Sequence, residues 1–85
     1  MSDVQSIAAL DRVRGIVAEI LEIDIESVEP EASFYDDLAA DSLEKVEIAV
    51  RVEREFEISV SPDEAGEMTS ASAVLALLRD KGKVV

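Results

Sequence analysis

Apolar residues recur in this chain at three- and four-residue spacing in three separate stretches, a period that suits helices and not strands. In the first, Ile7, Leu10, Val13, Val17, Ile20 and Leu21 share one side of a helix predicted over Val4 to Leu21, and Ile16 widens the stripe. Ser2 or Asp3 is its candidate cap. Gly15 lies inside it and costs up to about 1 kcal/mol relative to alanine; it either admits a neighbouring element or is incidental. The second helix is predicted from Ser42 to about Phe56. Asp41 suits its N-cap, and Glu44, three residues on, completes a capping box. Projected at about 100° per residue, this helix carries two apolar stripes. Ile48, Ala49, Val52 and Phe56 form the larger, which is assigned to the core. Leu43, Val46 and Val50 form a smaller one, roughly opposite. The last helix runs from about Ser70 to Asp80, capped by Thr69 or Ser70, and buries Val74, Leu75, Leu77 and Leu78. Arg79 and Lys81 suit its C-terminal end, with Gly82 just beyond.

The connections are read from what interrupts the period. Pro30 blocks a helix between Glu22 and Ala40. Ile23, Ile25 and Val28 are its apolar anchors, and Phe34 and Leu38 are predicted to plug this long loop into the core. A short helical turn is expected within it, since long structureless loops are uncommon in compact domains. Ile58 and Val60 lead to Ser61-Pro62-Asp63-Glu64, which reads as a cap, a proline at the first helical position and acids in the first turn. Gly66 and Met68-Thr69 keep that helix short. The expected fold is all-α: a small four-helix bundle of three longer helices and one short one, with a long loop between helices 1 and 2. Residues 1–85 are expected to form a single domain with a thin core.

Composition removes whole classes of function. There is no cysteine and no histidine, so neither a Cys/His pair nor a Ser/His/Asp triad can be built. No disulfide or thiolate metal site is available either. An enzyme is not expected. With 20 acids against 8 bases, the net charge of −12 argues against nucleic acid and anionic membranes and favours basic protein surfaces. From Gly15 to Glu44 there are ten acids and no base. Met1-Ser2-Asp3 lacks the start of a signal peptide, and no apolar run is long enough for a membrane span, so a cytoplasmic protein is expected; a monomer is expected too. Asp36, Asp37 and Asp41 lack the spacing, central glycine and closing glutamate of a calcium loop, so no metal site is assigned.

Two features are left for function. The smaller stripe of helix 2 is either buried by a bundle that surrounds this helix or is a docking patch rimmed by acids. Ser42 stands at the start of the same helix, where free backbone N–H groups and the dipole suit a phosphodiester. A serine in that place is also an ordinary helix-start residue.

Asp37-Leu38-Ala39-Ala40-Asp41-Ser42-Leu43-Glu44-Lys45-Val46-Glu47 closely resembles the signature of acyl carrier proteins. The likeness extends over essentially the whole chain. Ala32-Ser33-Phe34 with Asp36-Asp37-Leu38 resembles the family's loop before the attachment serine. Glu53-Arg54-Glu55-Phe56 resembles the end of its second helix, Pro62-Asp63-Glu64-Ala65 its short third helix, and Thr69 the start of its last. The resemblance implies that a phosphopantetheinyl transferase attaches 4′-phosphopantetheine from coenzyme A to Ser42. The arm's thiol, the only one such a chain would have, then carries acyl groups as thioesters. It implies docking of partner enzymes, such as an acyltransferase, a ketosynthase or an acyl- or aminoacyl-loading enzyme, on Asp41, Leu43, Glu44 and Val46, continuing through Glu47, Val50 and Glu53; Arg54 joins this set from its place beside the stripe. It also implies an acyl-chain lining from Phe34, Ile48, Ala49 and Val52, and from Val60, Ala65, Met68 and Val74. Plain core packing is the other reading of those eight positions.

The chain departs from the pattern in places. Ala39 stands where glycine is frequent, and Lys45, Arg51 and Arg54 make helix 2 less uniformly acidic than in fatty-acid carriers. Arg54, beside the smaller stripe, favours a dedicated partner with a matching acid. That points to polyketide or related specialised (antibiotic) biosynthesis over the central fatty-acid pathway. A peptidyl or aminoacyl carrier is the first rival, although the glycine- and histidine-containing approach to its serine is absent. The second is an acidic helical interaction module that carries nothing.

Overall fold

A computed structural model describes residues 3–84, with side chains from residue 5 onward. The candidate caps Ser2 and Asp3 lie outside the described side chains. Four helices form: α1 over Asp3–Leu21, α2 over Ser42–Phe56, α3 over Pro62–Glu67 and α4 over Ala71–Asp80. There is no strand among the described residues, and the fold is the all-α arrangement of three longer helices and one short one.

Local chemistry sets the helix boundaries. The Asp41 carboxylate accepts from the Glu44 N–H at 2.7 Å, and the Glu44 carboxylate accepts from the Asp41 N–H at 3.0 Å, a complete capping box for α2. Ser61 and Glu64 do the same for α3, at 3.1 and 2.9 Å, with Pro62 at its first position. Ser70 caps α4 by accepting from the Ala73 N–H at 3.1 Å. Three helices stop by one device. A residue with positive φ, namely Glu22 (58°), Glu57 (55°) or Gly82 (77°), turns the chain. The next N–H then bonds a carbonyl five residues back: Ile23 to Ala18, Ile58 to Glu53 and Lys83 to Leu78. Ile23 and Ile58 drop onto the core as they leave the helix.

α1 packs against both α2 and α4, and α3 lies against α4. Val13, Val17, Ile48, Val52, Val74 and Leu78 are sealed between the long helices. Ile7 does not join them: it is 59% exposed. It lies about 120° around α1 from Val13, and the buried slot nearer that meridian goes to Ser6, whose hydroxyl accepts from Arg79 of α4. Ala9 and Ala18 complete the buried face of α1. Gly15 is not forced by crowding. A methyl there would meet Ile25 Cδ1 at 3.9 Å, an ordinary contact.

The loop between α1 and α2 is fastened at several points. Its short 3-10 turn, Ile25–Ser27, is held by Arg14, which donates to the carbonyls of Val28 at 2.6 Å and Ile25 at 3.0 Å. Val28 and Phe34 are fully buried plugs, while Leu38 and Ile23 are half-buried. Ile25 is 38% exposed, more than an anchor would be. The Phe34 N–H bonds Thr69 O, and the Ser72 N–H bonds Pro30 O, each at 2.9 Å, so the loop is tied to the start of α4. No helix among the described residues is long and apolar enough to cross a membrane.

Candidate functional site

α2 presents its N-terminus at the surface. Ser42 is exposed, and its hydroxyl has no hydrogen-bond partner among the described residues. Asp41 takes the Glu44 N–H with its carboxylate and the Lys45 N–H with its carbonyl, which leaves the first-turn amides of Ser42 and Leu43 unclaimed. An anion bonded to the serine oxygen would meet those amides and the positive end of α2. The residues present therefore fit a phosphodiester at this position.

The loop reaches this point through one left-handed residue. Ala39 adopts φ 59°, a region in which side chains crowd the backbone and glycine does not. That is a physical reason for glycine to be favoured there. Asp36 and Asp37 are engaged just upstream. The Asp36 N–H donates to the Ser33 hydroxyl at 3.1 Å, and the Asp37 carboxylate accepts from the Ser33 N–H at 2.8 Å. Ser33 and the Asp37 carboxylate thus close the turn that leads to the serine.

Beside Ser42 a cleft of about 400 Å³ opens between α2 and α3. Val46, Ala49 and Val50 form its α2 wall; Val60, Pro62 and Ala65 form the other, and Tyr35 stands at its mouth. Two polar side chains cross it. Lys45 donates from Nζ to the Ala65 carbonyl at 2.8 Å, and Glu53 accepts from the Val60 N–H at 2.7 Å. Lys45 is 7% exposed, its ammonium lies 5.7 Å from the centre of the Tyr35 ring, and burial pushes its pKa below the ordinary value.

The sequence-assigned positions divide around this cleft. Leu43, Val46 and Val50 are exposed by 80, 60 and 39%, so no bundle surrounds α2 on that side. Asp41 and Glu47 are exposed beside them, while Glu44 and Glu53 are half-buried by the cap and the loop they hold. Arg54 is exposed and has no ion pair among the described residues, whereas Arg51 is paired with Glu19 of α1. Of the proposed acyl-lining set, Ala49, Val60 and Ala65 face the cleft. Phe34, Ile48, Val52, Met68 and Val74 lie in the closed core, each at most 1% exposed. The sequence reading missed Lys45 as a wall residue. The signal was present, because Lys45 stands three residues before Ile48 and seven before Val52, on the core stripe. Tyr35 and the loop-holding role of Glu53 had no such signal.

Residues 11–78 match the family described as a phosphopantetheine attachment site. The chain belongs to the acyl carrier protein family. It is 42% identical over 72 residues to an acyl carrier protein of Thermosynechococcus vestitus, covering 85% of this chain and 89% of that one. With an acyl carrier protein of Bdellovibrio bacteriovorus it shares 39% identity over 72 residues, covering 85% of this chain and 92% of that one. A candidate acyl carrier protein from Mycobacterium tuberculosis superposes with a TM-score of 0.76, covering 86% of this chain and 99% of the other. At 23% identity that likeness speaks for the fold alone. The family is one of carriers and not of catalysts. Its members bear a phosphopantetheine arm, which implies a phosphopantetheinyl transferase and acyl-handling enzymes as partners.

Proposed function

We propose that Ser42 is the point of attachment of 4′-phosphopantetheine and that residues 1–85 act as one carrier domain, a cytoplasmic monomer. The observation that carries this is an exposed, unpartnered serine hydroxyl at the capped start of α2, on the rim of an apolar cleft. The arm supplies the thiol that the chain lacks. The chain supplies the tether oxygen, the surrounding charge and the shelter. Leu43, Val46 and Val50 form the apolar centre of a docking surface, with Asp41, Glu44 and Glu47 as its acidic rim for a basic partner. Arg54 marks the far edge, and half-buried Glu53 stands next to it, accepting from the Val60 N–H. Ala49, Val60 and Ala65 receive the acyl chain first. Phe34, Ile48, Val52, Met68 and Val74 become lining only when α3 swings away. That movement is reasonable for a six-residue helix with no buried residue of its own.

The cargo we favour belongs to polyketide or related specialised biosynthesis, with an acyltransferase and a ketosynthase as partners. Of the three bases on α2, Lys45 is buried and Arg51 is paired, so this preference rests on Arg54. Central fatty-acid synthesis is the neighbouring reading.

Incubation with coenzyme A and a broad-specificity phosphopantetheinyl transferase tests the attachment. Intact-mass measurement should show one arm added to the wild type and none to Ser42→Ala. An unmodified wild type, or a modified Ser42→Ala, would end the proposal. Reversing charge with Glu47→Lys should slow transfer severalfold at low salt and leave the circular dichroism unchanged, since Glu47 is exposed and makes no ion pair among the described residues. Equal rates would remove Glu47 from the docking surface.

A further inference from the structure

Lys45 is out of place in the cleft it helps to form. The other walls are mostly apolar, and the only acid among them, Glu53, is engaged with the Val60 N–H. Lys45 has no ion pair among the described residues. An ammonium has three N–H donors, and the Ala65 carbonyl takes one of them at 2.8 Å. The Tyr35 ring covers another side of the charge but accepts no conventional hydrogen bond. A nearly buried cation on the wall of the cleft thus has one hydrogen-bond acceptor among the described residues, and a plain hydrocarbon in the cleft would offer it no second one. Burial also depresses the Lys45 pKa, in keeping with a charge that lacks a counter-ion.

Position makes this relevant to cargo. Lys45 lies three residues after Ser42, on the same side of α2, so both border one cleft. An alkyl chain in that cleft would strip remaining water from the ammonium and return nothing. A chain with a carbonyl or carboxylate oxygen would accept a charge-assisted hydrogen bond in an environment where such bonds are strong. We infer that Lys45 is a specificity-determining residue that makes the cleft select oxygenated acyl chains, bearing a keto or carboxylate group, over plain alkyl chains of equal length. This rests on the proposal that Ser42 bears the arm. Lys45 performs no chemistry; it discriminates by the partner it lacks.

The test loads the full chain through the transferase with octanoyl-, 3-oxooctanoyl- and suberyl-coenzyme A, and repeats this for Lys45→Met and Lys45→Gln. Intact mass reports loading, and thermal unfolding reports how well each chain is housed. In the wild type, at least one oxygenated chain should raise the melting temperature above the octanoyl form by about 4 °C or more. A gain from the 3-oxo chain identifies a carbonyl as the acceptor, and a gain from the suberyl chain identifies a carboxylate. In both variants the gap should close, and in Lys45→Met the octanoyl form should become the most stable. If all three chains load on the wild type and shift it equally, the inference is wrong. It is also wrong if the gap persists unchanged in both variants. Failure of the wild type to load any chain would instead remove the attachment proposal beneath it. Lys45→Gln guards against a misfolded methionine variant, because it keeps a polar N–H donor at this position while removing the charge.

Discussion

Single residues carry measurable strain and charge in this molecule. Ala39 holds φ 59° without being glycine, at a cost of about 1 kcal/mol. Ala39→Gly should therefore stabilise the fold by about 1 kcal/mol, less the entropy that glycine adds to the unfolded chain, read as a higher urea midpoint. A lower midpoint would mean that the alanine methyl makes a contact worth more than the strain. Glu64 has a pKa lowered from 4.5, first by its bond from the Ser61 backbone N–H and then by Lys81, 3.1 Å away. Its folded-state pKa lies below the unfolded value, so its stabilisation is present above pH 4.5 and is lost as pH falls through the folded value. Glu64→Gln should be less stable than wild type at pH 6, and the difference should shrink as pH falls below 4.5. A constant difference across that range would show that the carboxylate's charge is not involved.

At the scale of the element, α2 shows how a helix serves two purposes. Its two apolar stripes were legible from spacing, and so was the capping box that starts it. Spacing alone left open which stripe the bundle would bury, because both satisfy the same period. The structure seals Ile48 and Val52, leaves Phe56 9% exposed beneath the Arg12 guanidinium, and leaves Leu43 80% exposed. Phe56→Ala should cost about 3–4 kcal/mol in denaturant unfolding, whereas Val50→Ala on the other stripe should change stability by about 0.5 kcal/mol or less. Similar losses from the two would mean that both faces are packed. In α1, by contrast, the predicted stripe was misjudged at Ile7. Periodicity locates a face to within about one residue: at about 100° per residue Ser6 falls closer than Ile7 to the meridian of Val13, and its hydroxyl meets Arg79 of α4 there.

For the whole molecule, charge sets the balance. The net charge of −12 is spread over a body of 33 × 28 × 18 Å. At about 10 mM salt the screening length is roughly 30 Å, comparable to the molecule, so every acid repels every other. Raising salt to about 150 mM shortens it to roughly 8 Å and should raise the melting temperature by several degrees. The helix-linking pairs Arg12–Glu55, Arg51–Glu19 and Lys81–Glu64 are exposed or half-exposed and act against that trend only weakly. A falling melting temperature would show that these pairs outweigh the general repulsion.

The sequence by itself determined the four helices and roughly where they end, the caps of α2, α3 and α4, the apolar character of Phe34 and Val28 in the long loop, and the serine that begins α2. The helices, their caps and the serine depend on neighbours within a few positions along the chain, where hydrogen-bonding and apolar period are written directly. Only the tertiary structure decided that Lys45 bridges to α3, that Glu53 holds the second loop, and that a cleft opens beside Ser42. Those outcomes depend on how far apart two packed helices come to rest, and that spacing is set by all of the side chains between them at once.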